Sequence, residues 1–275
     1  MAKIKLENGT FFYEIKGQGD TIVFISGLAA DHTAWNAQIP SHSRYFRCLT
    51  FDNREVGESI NALSELEQSS YSLKLLSDDI AHLMDALGID KAHIVGASMG
   101  GVIAQCFAID HPDRILSLSL HSTMARISSL TKLKFEIQLY LLEKLEVQDV
   151  QLSIAGMIWS EKTLSERFQI IEAFRSARVK AGPQVNKEVY KLQTKALLST
   201  DFLSKLNKIQ VPVLVTAGAN DGLIPASESR LVHKAIPGSE FHIFKGCGHA
   251  ASIENSRGFN TISLRFLKKH GGQRR

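Results

Sequence analysis

Short β-type runs punctuated by glycine alternate along the chain with longer stretches whose apolar residues recur at helical spacing. The β-type runs predict strands at Ile4–Leu6, Phe11–Ile15, Thr21–Ile25, Arg47–Phe51, His93–Val95, Ile115–Leu120, Val213–Ala217 and Phe241–Phe244. Between the fourth and fifth, Leu73, Leu76, Ile80, Leu83 and Leu87 fall on one face and predict a helix over Leu73–Leu87. The first two strands are joined by Glu7-Asn8-Gly9-Thr10, where Asn-Gly predicts a tight hairpin turn. Such alternation predicts an α/β fold with a mostly parallel sheet. It stops after Leu120. From about Ala125 to Leu206 only helical patterns occur, and the alternation resumes at Val211-Pro212-Val213. Within the interruption, Leu130, Leu133, Ile137, Leu141 and Leu145 form one stripe, and Phe135, Leu139 and Leu142 form another on nearly the opposite face. A helix apolar on two sides is expected to be sandwiched. The expected organisation is a core of residues 1–124 and 207–275, with an all-helical cap, 125–206, inserted over a site. No internal repeat or linker is evident.

Composition changes this picture little. With 275 residues, 44% hydrophobic and 22% charged, the chain can bury a large core without disulfides or metal. The longest near-apolar run, Ile22 to Ala30, is broken by Ser26 and Gly27, far short of the roughly 18–20 residues of a bilayer span. The opening residues alternate like a strand and do not read as a signal peptide. No membrane association is expected. The net charge of +4 is concentrated in Lys268, Lys269, Arg274 and Arg275, and no basic face with interleaved aromatics points to nucleic acid. Three cysteines, Cys48, Cys106 and Cys247, read as reduced thiols in a cytoplasmic protein, where the sequon Asn8-Gly9-Thr10 carries no meaning.

The candidate chemistry starts at Gly96-Ala97-Ser98-Met99-Gly100. This G-x-S-x-G run directly follows the strand His93–Val95 and opens the helical run Val102–Ile109, which is the context of a nucleophile elbow. The turn is too tight for side chains at Gly96 and Gly100, and it leaves the Ser98 hydroxyl exposed at the head of a helix. A serine hydroxyl needs a base held by an acid. Asp221 follows strand Val213–Ala217 within Gly218-Ala219-Asn220-Asp221-Gly222, and His249 follows strand Phe241–Phe244 within Gly246-Cys247-Gly248-His249. Both stand at carboxyl ends of strands, where α/β sheets build their sites. The order Ser98, Asp221, His249 is that of α/β-hydrolases and not of trypsin-like or subtilisin-like proteases.

On these residues, together with Ser26-Gly27-Leu28 and Asp52-Asn53-Arg54-Glu55-Val56-Gly57-Glu58-Ser59, the chain resembles the α/β-hydrolase-fold enzymes from Phe24 to about Leu267. It most resembles small, cap-bearing bacterial esterases and lactonases: the 3-oxoadipate enol-lactonases, polyketide methylesterases and pimeloyl-carrier esterases. The resemblance implies Ser98 as nucleophile, His249 as general base, Asp221 as its orienting carboxylate, and an oxyanion hole from the backbone N–H groups of Leu28 and Met99. There are departures from the family pattern. Ser26 stands where histidine is usual, which touches the support of the loop and not the backbone donors. Glu55 stands where glycine is frequent, so its backbone is expected to be ordinary. Ser256 replaces a usual proline at a helix start. Haloalkane dehalogenases and epoxide hydrolases of this fold carry Asp at the elbow and are not expected with Ser98 there.

The expected reaction is hydrolysis of a small-molecule carboxylic ester, lactone or acyl thioester through an acyl-enzyme. Carbon–carbon bond hydrolysis, acyl transfer and a slow-turnover ligand receptor stand as alternatives on the same residues. No cofactor is expected, and the remaining histidines show no metal-ligand spacing. His121, Trp35 beneath the Ser26-Gly27-Leu28 loop and Trp159 in the cap are candidates for the pocket wall. Cys247 reads as a small buried hydrophobe, and Asp52 and Asp110 as structural carboxylates. The cap's Leu, Ile and Phe content predicts a largely apolar pocket.

Overall fold

The computed structural model describes residues 2–6, 9–59, 70–169, 172 and 185–271. Eight strands form one sheet: β1 (Ala2–Leu6), β2 (Gly9–Lys16), β3 (Thr21–Ile25), β4 (Arg47–Phe51), β5 (Ala92–Ala97), β6 (Ile115–His121), β7 (Val213–Gly218) and β8 (Glu240–Phe244). Their spatial order is β1-β2-β4-β3-β5-β6-β7-β8. β1, β2 and β4 pair antiparallel, and every pairing from β4 through β8 is parallel. All eight anticipated strands are present. Leu6 pairs with Gly9, so Gly9 opens β2 and is not a central turn residue; Glu7 and Asn8 lie outside the described residues.

The helices are α1 (Ile39–His42), α2 (Leu73–Ala86), α3 (Met99–Asp110), α4 (Ser129–Leu142), α5 (Val147–Ser153), α6 (Ala155–Ile158), α7 (Lys187–Leu198), α8 (Ala226–Ala235), α9 (Ala251–Glu254) and α10 (Ser256–His270). α2 starts where Ser72 accepts the Leu75 N–H, and it buries Leu73, Leu76, Ile80 and Leu83. α10 starts at Ser256, where the Asn255 side chain caps the Gly258 N–H in place of any need for proline.

β3 is buried on both faces, as a central parallel strand must be. Val23 and Ile25 pack into the larger cluster with α2 and α3, while Ile22 and Phe24 join Trp35, Phe259 and Leu267 on the other face. The chain runs outward from β3 to β4 and then returns to the opposite side for β5. The carboxyl ends of β3 and β5, paired at Ile25 and Gly96, therefore flank a topological switch point.

Between β6 and β7 the described residues form α4 to α7 and a further helical stretch, 161–169. The bridge between Arg126 and Asp201 joins the two ends of this insertion. The two-sided burial expected of α4 does not occur. Its inward face is Thr131, Phe135, Gln138 and Leu142, whereas Leu130, Leu133, Ile137 and Tyr140 are about half exposed or more. Two inward positions are polar, so the outer stripe carries the stronger apolar pattern although it faces away from the core. The ordinary backbone expected of Glu55 is also wrong: its φ is 62°. Its neighbour Arg54 is fixed in a buried ion pair with Asp79, and the Glu55 N–H closes a loop onto the Ser59 carbonyl. The conformation is therefore imposed from both sides.

Candidate active site

The G-x-S-x-G turn is tight for two measurable reasons. A side chain at Gly96 would run into the Gly100 carbonyl, and one at Gly100 into the Ile25 carbonyl. Ser98 itself sits at φ 56°, ψ −122°, a strained region that costs about 1–3 kcal/mol and persists only where the surroundings impose it. The surroundings are visible. Its N–H donates to the His121 carbonyl (2.9 Å), and its carbonyl accepts the Thr123 hydroxyl (2.8 Å).

Asp221 is buried at the end of β7. Oδ1 accepts the N–H groups of Leu223 (3.0 Å) and Ile224 (2.8 Å), which leaves Oδ2 to meet His249 Nδ1 at 2.7 Å. Other carboxylates that meet a histidine include Asp78, 3.3 Å from His111 Nε2, and Asp52, 2.7 Å from His32 Nδ1. Asp52 is the one that the sequence offers as a rival. It is fully buried and also binds the His32 and Glu58 N–H groups, so it braces loops. Neither Asp52 nor His32 lines the cavity that holds Ser98 and His249. Asp110 lies at the end of α3 beside Lys74 and Cys106.

That cavity has a volume of about 480 Å³. Ser98 and His249 line it with Gly27 and Leu28 of the loop after β3, and Trp35, His121 and Trp159 lie in its wall. Ser98 Oγ forms no hydrogen bond among the described residues, so the serine–imidazole contact is open in this geometry, as resting sites often are. The N–H groups of Leu28 and Met99 likewise have no partner among the described residues; Met99 is the first residue of α3, where no intrahelical acceptor exists. Ser26, in the position of the usual histidine, supports its loop by donating from Oγ to the Asp31 carbonyl at 2.9 Å.

His121 is buried against Phe259, with Nδ1 2.8 Å from the Thr216 hydroxyl, and burial pushes its pKa down to about 3. It is a neutral wall residue. Trp35 packs on Phe24, and the Cys247 thiol is pushed up by burial. Among the described residues no group of three or more His, Cys, Asp or Glu could hold a metal ion. No helix of the described residues is long and apolar enough to cross a membrane.

Tertiary contacts add residues that sequence patterns do not mark. Ser122 donates to the His249 carbonyl (2.9 Å). Lys134 of α4 donates to the Gly222 carbonyl (2.6 Å), and the Gly222 N–H donates to Met157 (3.0 Å). The Ala250 N–H donates to Ile158 (3.3 Å). A side chain at Gly248 would strike the backbone of Ile158 and Ser160. Glycine therefore lets the insertion lie directly on the loops that carry Asp221 and His249.

Comparison with known proteins agrees with this architecture. The family model described as alpha/beta hydrolase fold matches residues 20–256. A protein of Caulobacter sp. strain K31 bearing the provisional name carbamate hydrolase RutD is 29% identical over 269 residues, 95% of this chain and 98% of its own. The enol-lactonase from Burkholderia xenovorans LB400 shares the fold with a TM-score of 0.87 at 24% identity, over 97% of this chain and all of that one. A thermophilic esterase from Thermogutta terrifontis does so at 0.85 and 24%, over 98% and 99%. The strand order, the elbow at the switch point and the matched family model together establish that the chain belongs to the α/β-hydrolase fold family.

Proposed function

We propose that the protein is a serine hydrolase that cleaves a carboxylic ester, lactone or thioester through an acyl-enzyme, with residues 125–206 acting as a cap over the site. The observation that carries this reading is the His249–Asp221 contact of 2.7 Å beside a cavity shared by His249 and the strained Ser98. In this reading Asp221 holds the imidazole tautomer that leaves Nε2 free to take the Ser98 proton as Oγ attacks the carbonyl carbon. The negative charge that develops on the carbonyl oxygen is met by the N–H groups of Leu28 and Met99. His249 then returns its proton to the leaving alcohol or thiol. Water attacks the acyl-enzyme by the same route, and Ser98 is regenerated.

The cavity wall bears on the substrate. It carries Leu28, Trp35, Phe135, Ile158, Trp159 and Leu223, and among the described lining residues no Lys or Arg. A neutral, apolar acyl or alcohol group fits such a wall, whereas a carboxylate would be desolvated without a counter-ion. A fluorophosphonate should label the wild-type protein, and Ser98→Ala should abolish both labelling and turnover of p-nitrophenyl butyrate. Labelling or full turnover retained in that variant would overturn the reading.

A further inference from the structure

The loop after β3 is a turn whose shape can be read from three observations. The Ala30 N–H donates to the Gly27 carbonyl at 3.2 Å, Ala29 has φ 54°, and every described peptide is trans. A positive φ at the third residue of a four-residue turn is type II geometry, which glycine accommodates and alanine resists. In a planar trans peptide the carbonyl and N–H point in opposite directions. With the Gly27 carbonyl committed to the turn's own hydrogen bond, the Leu28 N–H is directed away from it. The turn lies against the serine: a Cβ at Gly27 would be 3.2 Å from Ser98 Cβ and 3.7 Å from Ser98 Oγ.

Ala29 is completely buried, so its N–H must find an acceptor inside the protein. That acceptor is Gln193 Oε1, 2.9 Å away, on α7 of the helical insertion and 164 residues distant in sequence. Gln193 is itself fully buried, and Ala29 packs with Val189 and Tyr190 of the same helix.

We propose that Gln193 is a positioning residue for the oxyanion hole: α7 holds the Leu28–Ala29 peptide in its strained turn and so aims the Leu28 N–H. This inference rests on the acyl-enzyme reading above. It makes one half of the oxyanion hole depend on the seating of the insertion, so the insertion contributes to chemistry as well as to covering the pocket.

Gln193→Met keeps the length and removes the acceptor. Loss of one oxyanion donor costs about 10²–10³-fold in kcat; a donor that is present but misaimed should cost roughly 10–100-fold. The expected result with p-nitrophenyl butyrate is that fall in kcat with KM within about threefold, since ground-state binding does not use the hole. A trifluoromethyl ketone, which forms a tetrahedral adduct with the serine, should lose affinity by the same factor as kcat/KM. Gln193→Glu, which keeps an acceptor oxygen, should recover most of kcat. A folded Gln193→Met protein with wild-type kcat and ketone affinity would overturn the proposal, as would a rise in KM with kcat unchanged. If neither variant folds, residue-resolved amide exchange on the wild type decides: the Ala29 N–H should be protected like the core amides of α7, and free exchange would overturn the proposal. Failure of the underlying reading is distinct, because it would appear as a wild-type protein that fluorophosphonate does not label.

Discussion

Replacing Glu254 tests whether the insertion and the His249 loop are one mechanical unit. Glu254 closes α9, five residues after His249, and its half-buried carboxylate gathers four donors. Oε1 accepts the Gly248 N–H at 2.6 Å, and Oε2 accepts the Ser160 N–H at 3.1 Å and the hydroxyls of Ser160 and Thr163 at 2.5 Å each. In Glu254→Ala the two hydroxyls can turn to other acceptors or to water. The backbone N–H groups of Gly248 and Ser160 cannot, because both residues are buried. Each orphaned donor costs about 1–3 kcal/mol, so the loss should be about 3 kcal/mol in all. Glu254→Gln keeps one acceptor oxygen but turns an NH2 toward donors, and it should lose about half as much. Urea unfolding followed by tryptophan fluorescence measures this as a lower midpoint with unchanged m. The melting temperature should fall by roughly 6–12 °C, at about 2–4 °C per kcal/mol for a chain of this size. Turnover should fall as well, because the Gly248 peptide adjoins His249. A Glu254→Ala protein within about 0.5 kcal/mol of wild type, which is the usual range of surface changes, would refute the reasoning.

Three further outcomes follow from the same geometry. Asp221→Asn keeps the shape of the site but favours the wrong imidazole tautomer, so kcat should drop by several orders of magnitude, about 10⁴-fold for the equivalent change in a serine protease. Near-wild-type turnover, with activity lost instead in a folded Asp52→Asn protein, would reassign the acid. Phe135→Ala should cost about 3–5 kcal/mol, whereas Ile137→Ser on the opposite face of α4 should change stability by less than about 0.5 kcal/mol; equal losses in urea melts would mean that the outer stripe is covered. His42, His93 and His121 are held neutral by burial, with pKa values lowered to about 4, 4 and 3. Their stabilisation is complete above the unfolded value of about 6.5 and is lost as pH falls toward 4, because the unfolded chain takes up protons first. His93→Gln should therefore flatten the fall in stability between pH 6 and 5 by up to one proton, about 1.4 kcal/mol per pH unit, and an unchanged slope would contradict its neutrality.

The outline of the fold and the positions of the candidate site residues were legible in the chain because both are local. A short, continuous run rich in β-branched residues, such as Thr21–Ile25, suits a strand buried on both faces. The glycines at 96 and 100 are required by a turn closed within five residues and by the neighbouring strand that the β3–β5 pairing brings against it. Asp221 and His249 could be picked out because each follows its strand at once, at the edge where parallel strands end. What needed the tertiary structure was whatever depends on partners distant in sequence. The outer stripe of α4 has the periodicity of a buried face, and only packing reveals that Thr131 and Gln138 point inward in its place. Glu55 takes a conformation that its own type disfavours because the Ser59 carbonyl holds its N–H and Asp79 holds its neighbour Arg54. Gln193 and Glu254 carry no local signature, since a glutamine or a glutamate on a helix is ordinary until a buried N–H from another segment arrives, that of Ala29 at 2.9 Å for the one and of Ser160 at 3.1 Å for the other. Local sterics are written in adjacent residues, whereas the satisfaction of buried polar groups is a property of which surfaces meet, and that is decided only when the chain has folded.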